Sequence, residues 1–373
     1  MIKTIYDLKN PHTIDSPALV FYEDIIRANT LEVIRIAGNA RRLWPHVKTH
    51  KMRELVNLQR ELGIERFKCS TIAEAEMLAQ CGAPHILLAY PLVGPMIARF
   101  LRLQAAYPDS TWWAIGDNPD QLRELGRQAS VCGTSVQLLI DVDMGMHRTG
   151  VPFDQLEEFY AACVKTPGIV PSGLHCYDGH NTDPDLNKRR SETALSTGTV
   201  HRIRESLIQK GFSCDILVMG GTPSFPCHAE SGQPFTYLSP GTVFIYDHAY
   251  KSKYQDLNLT PAAVLLSRVV SRPSEGLFTI DLGCKGISAD PAGERGIIAN
   301  LPESEPVMQS EEHWVFRMRE GHEKDLPSVG DILYVIPTHV CPTNSLYPSV
   351  LVARNGEITG TWEVTARNRR LSI

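Results

Sequence analysis

No apolar run in this sequence approaches the roughly 20 residues needed to cross a bilayer as a helix. The longest are Ile86-Leu87-Leu88-Ala89 and Val136 to Ile140, the latter interrupted by Gln137. No segment is expected to span a membrane as a helix. The start of the chain, Met1-Ile2-Lys3-Thr4-Ile5, soon meets Asp7, Asn10 and Pro11 and so lacks the apolar stretch of a secretory signal. Excess charge of one sign is also missing. Lys and Arg number 37 against 42 Asp and Glu, a net charge of -5 spread along the chain, so no basic footprint marks a nucleic-acid or anionic-lipid partner. The nine cysteines form no Cys-x-x-Cys pair. An odd, scattered set implies free thiols and predicts a cytoplasmic protein. No internal repeat of fixed period and no low-complexity segment is present. No Gly-x-Gly-x-x-Gly opens the first strand-to-helix turn, which argues against a dinucleotide-binding open sheet.

What is present is regular alternation. Strand-like runs occur at Ala18 to Tyr22, Leu43 to Lys48, Phe67 to Ser70, Ile86 to Tyr90, Trp112 to Ile115, Val136 to Val142, Val170 to Tyr177 and Ile216 to Gly220. Between them lie amphipathic patterns of helical period at Asp24 to Gly38, Lys51 to Leu62, Ile72 to Gln80, Pro95 to Ala106, Pro119 to Gln128, Asp154 to Val164 and Asn187 to Lys210. Strands with nearly continuous apolar interiors, each followed by a helix, predict a parallel sheet covered on both faces. The count reaches eight, and residues 15–250 approach the roughly 250 residues of a closed (β/α)8 TIM barrel. After residue 250 short strand-like runs split by Pro, Gly and Asn predict a smaller all-β domain, 251–373, joined by residues 1–14.

Barrel active sites lie at the carboxyl ends of the strands. Lys48 stands there, at the end of an apolar run. Burial lowers a lysine pKa and frees the amine to form an imine; pairing with a rim carboxylate is the other reading. Gly220-Gly221-Thr222 and Pro240-Gly241-Thr242 follow late apolar runs. Such turns cradle phosphate with backbone N–H groups, or simply reverse the chain. Arg148 follows the acidic strand end Asp141-Val142-Asp143 and is suited either to an anionic ligand oxygen or to one of those carboxylates. In Pro337-Thr338-His339-Val340-Cys341-Pro342, an extended backbone places His339 and Cys341 on one face. A nitrogen and a soft sulfur suit zinc, and packing is the alternative reading of so short a motif. With two protein ligands such a metal would keep open positions for catalysis.

Together, Pro45-His46-Val47-Lys48-Thr49-His50-Lys51, Met146-His147-Arg148-Thr149-Gly150, Gly173 to His180, Gly220-Gly221-Thr222 and His339-Val340-Cys341-Pro342-Thr343 resemble the D-serine dehydratase and D-threonine aldolase family. The motifs occur in family order over nearly the whole chain. The resemblance implies the alanine racemase-like fold (fold type III of pyridoxal phosphate enzymes), a homodimer and a D-amino acid substrate. It implies that Lys48 is the internal-aldimine lysine, that Arg148 faces the cofactor phenolate, and that Tyr177 lies near the pyridine nitrogen. Gly221, Thr222, Gly241 and Thr242 would hold the phosphate. His339 and Cys341 would hold a divalent metal, zinc first, with Mn2+ or Mg2+ as alternatives. His180 is the candidate base in aldol cleavage. Aldolases of the family commonly carry Asp where this chain has Cys341, which tilts towards the dehydratase branch. An amino acid racemase, a non-catalytic pyridoxal phosphate carrier and a lysine aldolase without cofactor are the competing readings.

Overall fold

The computed structural model describes residues 1–373, which divide into two compact units. One comprises residues 33–241 and 368–373; the other comprises residues 1–32 and 242–367.

The first unit is a parallel sheet whose strands pair in sequence order. They are Arg66–Cys69, His85–Leu88, Thr111–Gly116, Val136–Asp141, Ile169–Cys176, Ile216–Met219 and Thr236–Leu238. Residues 43–46 run between the two outer strands: Trp44 N donates to Leu238 O (2.7 Å), His46 N to Pro240 O (2.9 Å), and Lys68 N to Pro45 O (2.8 Å). This short segment closes the sheet into an eight-membered barrel of the TIM type. Helices follow most strands, and their starts are written locally. Thr71 accepts from Glu74 N, Asn118 from Asp120 N and Gln121 N ahead of Pro119, and Asp185 from Asn187 N and Lys188 N. Inside, Trp44, Leu87, Trp113, Ile115, Leu139 and Val218 form the core, with the Trp44 ring edge-on to Trp113 at 5.1 Å and to Tyr237 at 5.5 Å.

The second unit is a nine-stranded, mostly antiparallel sheet. Its main order is Ser304–Gln309, Trp314–Met318, Leu277–Ile280, Ala263–Ser271, Ala18–Tyr22, Ser349–Arg354, Glu357–Glu363; Ile332–Pro337 also pairs with Ala263–Ser271 and carries Gly296–Ile298. Only Ala18–Tyr22 with Ser349–Arg354 is parallel. Val20, Tyr22, Val264, Leu266, Tyr334 and Ala353 fill its core.

Two expectations are corrected here. Ala18–Tyr22 is a central strand of the β unit, not the first barrel strand, so residues 15–32 leave the barrel that the 15–250 boundary assigned them. A fully apolar, buried strand looks the same in either sheet, because partner choice is non-local. The place it vacated in the count is taken by Thr236–Leu238, three residues long and too short to show a period. The nine cysteines are all free, and no helix is long and apolar enough to cross a membrane.

Candidate active site

At the end of segment 43–46 the chain turns through a 3-10 helix, Val47–Thr49. Val47 and Thr49 are buried, while the Lys48 side chain between them is exposed to a cavity of about 500 Å³. His46 Nδ1 accepts from Lys48 N at 3.4 Å, which holds the turn. Lys51, at φ +59°, leaves it in a left-handed conformation and pairs with the fully buried Glu74. Glu74 also takes Ser70 N at 2.8 Å. The turn is thereby tied to the next strand and helix of the barrel.

The cavity is lined by Lys48, Lys68, Asp141, Arg148, His175 and Tyr177 among others. Arg148 sits in a loop between Asp141 and Val151 that two carboxylates preorganise. Asp143 Oδ1 accepts from Gly145 N (2.9 Å) and His147 N (3.0 Å), and Asp117 Oδ2 accepts from Gly150 N (2.7 Å). Gly150 has φ +110°, and a Cβ there would lie 2.3 Å from Asp143 N, so glycine is required. The Arg148 guanidinium stands 5.2 Å from the centre of the Tyr177 ring. Deeper in the cavity, His175 Nδ1 donates to Asp141 Oδ1 at 2.7 Å, and His175 Nε2 lies 3.5 Å from Lys68 Nζ. Burial lowers the His175 pKa against the pull of Asp141. Burial first, and the Lys48 charge second, bring the Lys68 amine down to about 7. Asp141 Oδ2 is buried with no partner, a polar orphan of the kind that a ligand or water satisfies.

The two small-residue turns come together, with Gly241 N 3.4 Å from Thr222 Oγ1. Gly221 lies against Tyr177, since a Cβ there would be 3.0 Å from that ring. Gly221 N is already bonded, to Ser224 Oγ at 3.0 Å. Ser224 Oγ donates in turn to Asp178 Oδ1 (2.5 Å), Asp178 Oδ2 accepts from His228 Nε2 (2.8 Å), and His228 Nδ1 lies 3.2 Å from Thr197 Oγ1. Every member of this chain is buried.

In the β unit, His339 caps the helix Val340–Leu346 and Cys341 falls in its first turn. The expected extended backbone is therefore limited to His339 itself, at φ -129° and ψ 102°. Pro342, the third residue of that helix, falls in its first turn, where no N–H is needed from it. The side chains still converge. Their hydrogen bond is the largest of the influences that raise the His339 pKa to about 9, and Asp290 adds to it with Oδ2 2.6 Å from Nδ1. Thr242 Oγ1 lies 3.6 Å from Cys341 Sγ. A nitrogen donor, a thiol and a carboxylate orienting the imidazole fit an open metal site; the metal would displace a proton.

Lys48, Arg148 and Tyr177 thus share one cavity, while His180 is exposed, outside its lining, with Nε2 over Gly145. Of the two readings of Lys48, the buried one does not hold, because its amine is exposed to the cavity. The buried amine is instead Lys68, which the sequence reading missed; a lysine between Phe67 and Cys69 in an apolar strand was the available signal. The cavity fits a molecule the size of pyridoxal phosphate. It offers an amine, a guanidinium and a phenol around the orphan Asp141 oxygen.

Residues 23–248 match the family model "Alanine racemase, N-terminal domain". The chain belongs to that family. Residues 262–353 match a second model, "Putative serine dehydratase domain". The chain is 28% identical to the D-threonine aldolase of an Arthrobacter species over 334 residues, 87% of this chain and 85% of that one. It is 24% identical to the D-threo-3-hydroxyaspartate dehydratase of Delftia sp. (strain HT23) over 377 residues, 94% and 97% of the two chains. The crystal structure of D-threonine aldolase from Filomicrobium marinum superposes with a TM-score of 0.88 at 25% identity, covering 99% of each chain. That family implies pyridoxal phosphate, and the named relatives are an aldolase and a dehydratase of the same fold.

Proposed function

We propose that this chain is a pyridoxal phosphate- and metal-dependent lyase of β-hydroxy D-amino acids. The observation that carries the reading is the cavity at the carboxyl ends of the parallel strands, where Lys48, Arg148 and Tyr177 stand together. It occurs in a chain that also brings His339 and Cys341 within hydrogen-bond reach.

When bound, the cofactor supplies an electron sink for the α-carbon, and the metal supplies Lewis acidity to the β-hydroxyl. Lys48 holds the cofactor and afterwards takes a proton at Nζ. Arg148 and Tyr177 orient the ring, and the tied turns of Gly221, Thr222, Gly241 and Thr242 seat the phosphate. His339 presents Nε2, because Nδ1 is held by Asp290. Cys341 adds the thiolate. If Lys48 takes the α-proton, the β-hydroxyl leaves as hydroxide, and hydrolysis of the resulting enamine by water gives a 2-keto acid and ammonia. If the hydroxyl proton leaves instead, the Cα–Cβ bond breaks to release an aldehyde and the α-carbon takes up a proton to give glycine; His180, the base proposed from the sequence for that hydroxyl proton, stands outside the cavity lining. A homodimer is part of the same proposal, tested by light scattering.

The deciding experiment incubates the cofactor-loaded protein with D-serine, D-threonine and D-3-hydroxyaspartate and their L-enantiomers, with zinc or with a chelator. The reading expects keto acid or aldehyde from D-substrates only, abolished by the chelator. Racemisation that survives the chelator, or no product from any substrate, overturns it.

A further inference from the structure

The Lys68 ammonium is almost wholly buried, at 2% exposure, on the strand Arg66–Cys69. Its hydrogen-bond partner is His175 Nε2 at 3.5 Å, a neutral acceptor because Asp141 takes the proton on Nδ1. No carboxylate lies within ion-pair distance of Lys68, unlike Lys51 with Glu74. A cation buried without such a partner costs stability, and an apolar side chain of similar length would suit the fold better. Residues that lower stability in this way are retained where a pocket uses them. Lys68 opens into the cavity that holds Lys48, with Nζ 5.6 Å from the centre of the Tyr177 ring, within cation–π reach. Arg148 meets the same ring at 5.2 Å. Tyr177 is therefore seated between two cations and the backbone of Gly221.

We propose that Lys68 is a positioning residue of the cofactor pocket: braced by the Asp141–His175 pair, it fixes the seat of Tyr177 and, through that ring, the seat of the cofactor. The inference rests on the pyridoxal phosphate reading above. Burial and the Lys48 charge lower the Lys68 pKa while the Asp141 and Asp178 charges raise it, and the brace from His175 directs Nζ at the ring.

The test compares wild type with K68M, K68R and H175Q. Cofactor affinity is measured by equilibrium dialysis of pyridoxal 5'-phosphate, ring orientation by visible circular dichroism of the bound cofactor, and stability by melting the cofactor-free protein. K68M should melt at the same or a higher temperature without cofactor, yet bind pyridoxal phosphate roughly tenfold more weakly, the scale of a desolvated cation–π contact. Its visible dichroism should change, and K68R should restore both signals. Affinity and dichroism unchanged in K68M overturn the inference. So does a loss of cofactor-free stability in step with affinity, which would make Lys68 a scaffold residue. Should K68M fail to fold, H175Q decides: the dichroic change supports the inference and its absence removes it. If wild type takes up no pyridoxal phosphate, the cofactor reading itself falls and the inference with it. If wild type and K68M bind it equally, only the inference falls.

Discussion

His228 Nε2 donates to Asp178 Oδ2 across 2.8 Å, with both side chains shut off from solvent. The pair stands behind the Gly220–Thr222 turn and is linked to it through Ser224. Removing one member leaves the other buried without its partner.

D178A and H228A should each destabilise the barrel unit by about 3–5 kcal/mol, the cost of breaking a buried pair. Equilibrium denaturation by urea measures this. A loss below about 1 kcal/mol would show that the pair holds little. The pH dependence has a definite sign. Burial, the largest influence on Asp178, raises its pKa, but His228 and Ser224 together outweigh it, and the net shift is downward. Its stabilisation is present above the ordinary carboxylate range near 4 and is lost as pH falls through the lower folded value. D178N should therefore lose the part of the acid-side slope that wild type shows below about pH 4.

G150A should strain the Arg148 loop by about 1–3 kcal/mol, since φ +110° disfavours a side chain and the new Cβ would press on Asp143 N. We expect a modest fall in melting temperature and a larger proportional fall in turnover, because the displaced group is Arg148. Equal turnover in G150A and wild type would separate that loop from the site.

Borohydride reduction of the cofactor-loaded protein followed by peptide mapping should place the adduct on Lys48, and K48A should lose the yellow colour. An adduct on Lys68 instead would exchange the roles assigned to the two amines.

W44A should cost about 3–5 kcal/mol, the usual range for a large buried aromatic. Trp44 is fully buried, stands edge-on to Trp113 and Tyr237, and belongs to the segment whose backbone closes the barrel. A melting curve with two separated transitions, the barrel's shifted and the other not, would show the two units unfolding independently.

The helices were legible because their signals are local. Apolar residues recur at helical spacing and caps such as Thr71, Asn118 and Asp185 stand just before them; Ile72–Gln80 and Pro95–Ala106 agree to the residue. Sheet membership was not legible at Ala18–Tyr22, whose composition fits two partners equally and whose true neighbours are distant in sequence. In the site, Lys48, Arg148 and Tyr177 could be named from short motifs. The burial of Lys68, the outward position of His180 and the helix beginning at Val340 depend on packing, which no spacing encodes.

The placement of Ala18–Tyr22 also bears on how the molecule is made. This apolar strand leaves the ribosome before both of its neighbours, which begin at Ala263 and Ser349. The polypeptide from Val33 to Gly241 is complete before either neighbour exists, so the barrel can assemble while the early strand waits unpaired and sticky. Cells that translate this message quickly, or short of chaperones, should accumulate aggregates seeded by the amino-terminal segment, and chains that stop short of residue 349 should be the worst offenders.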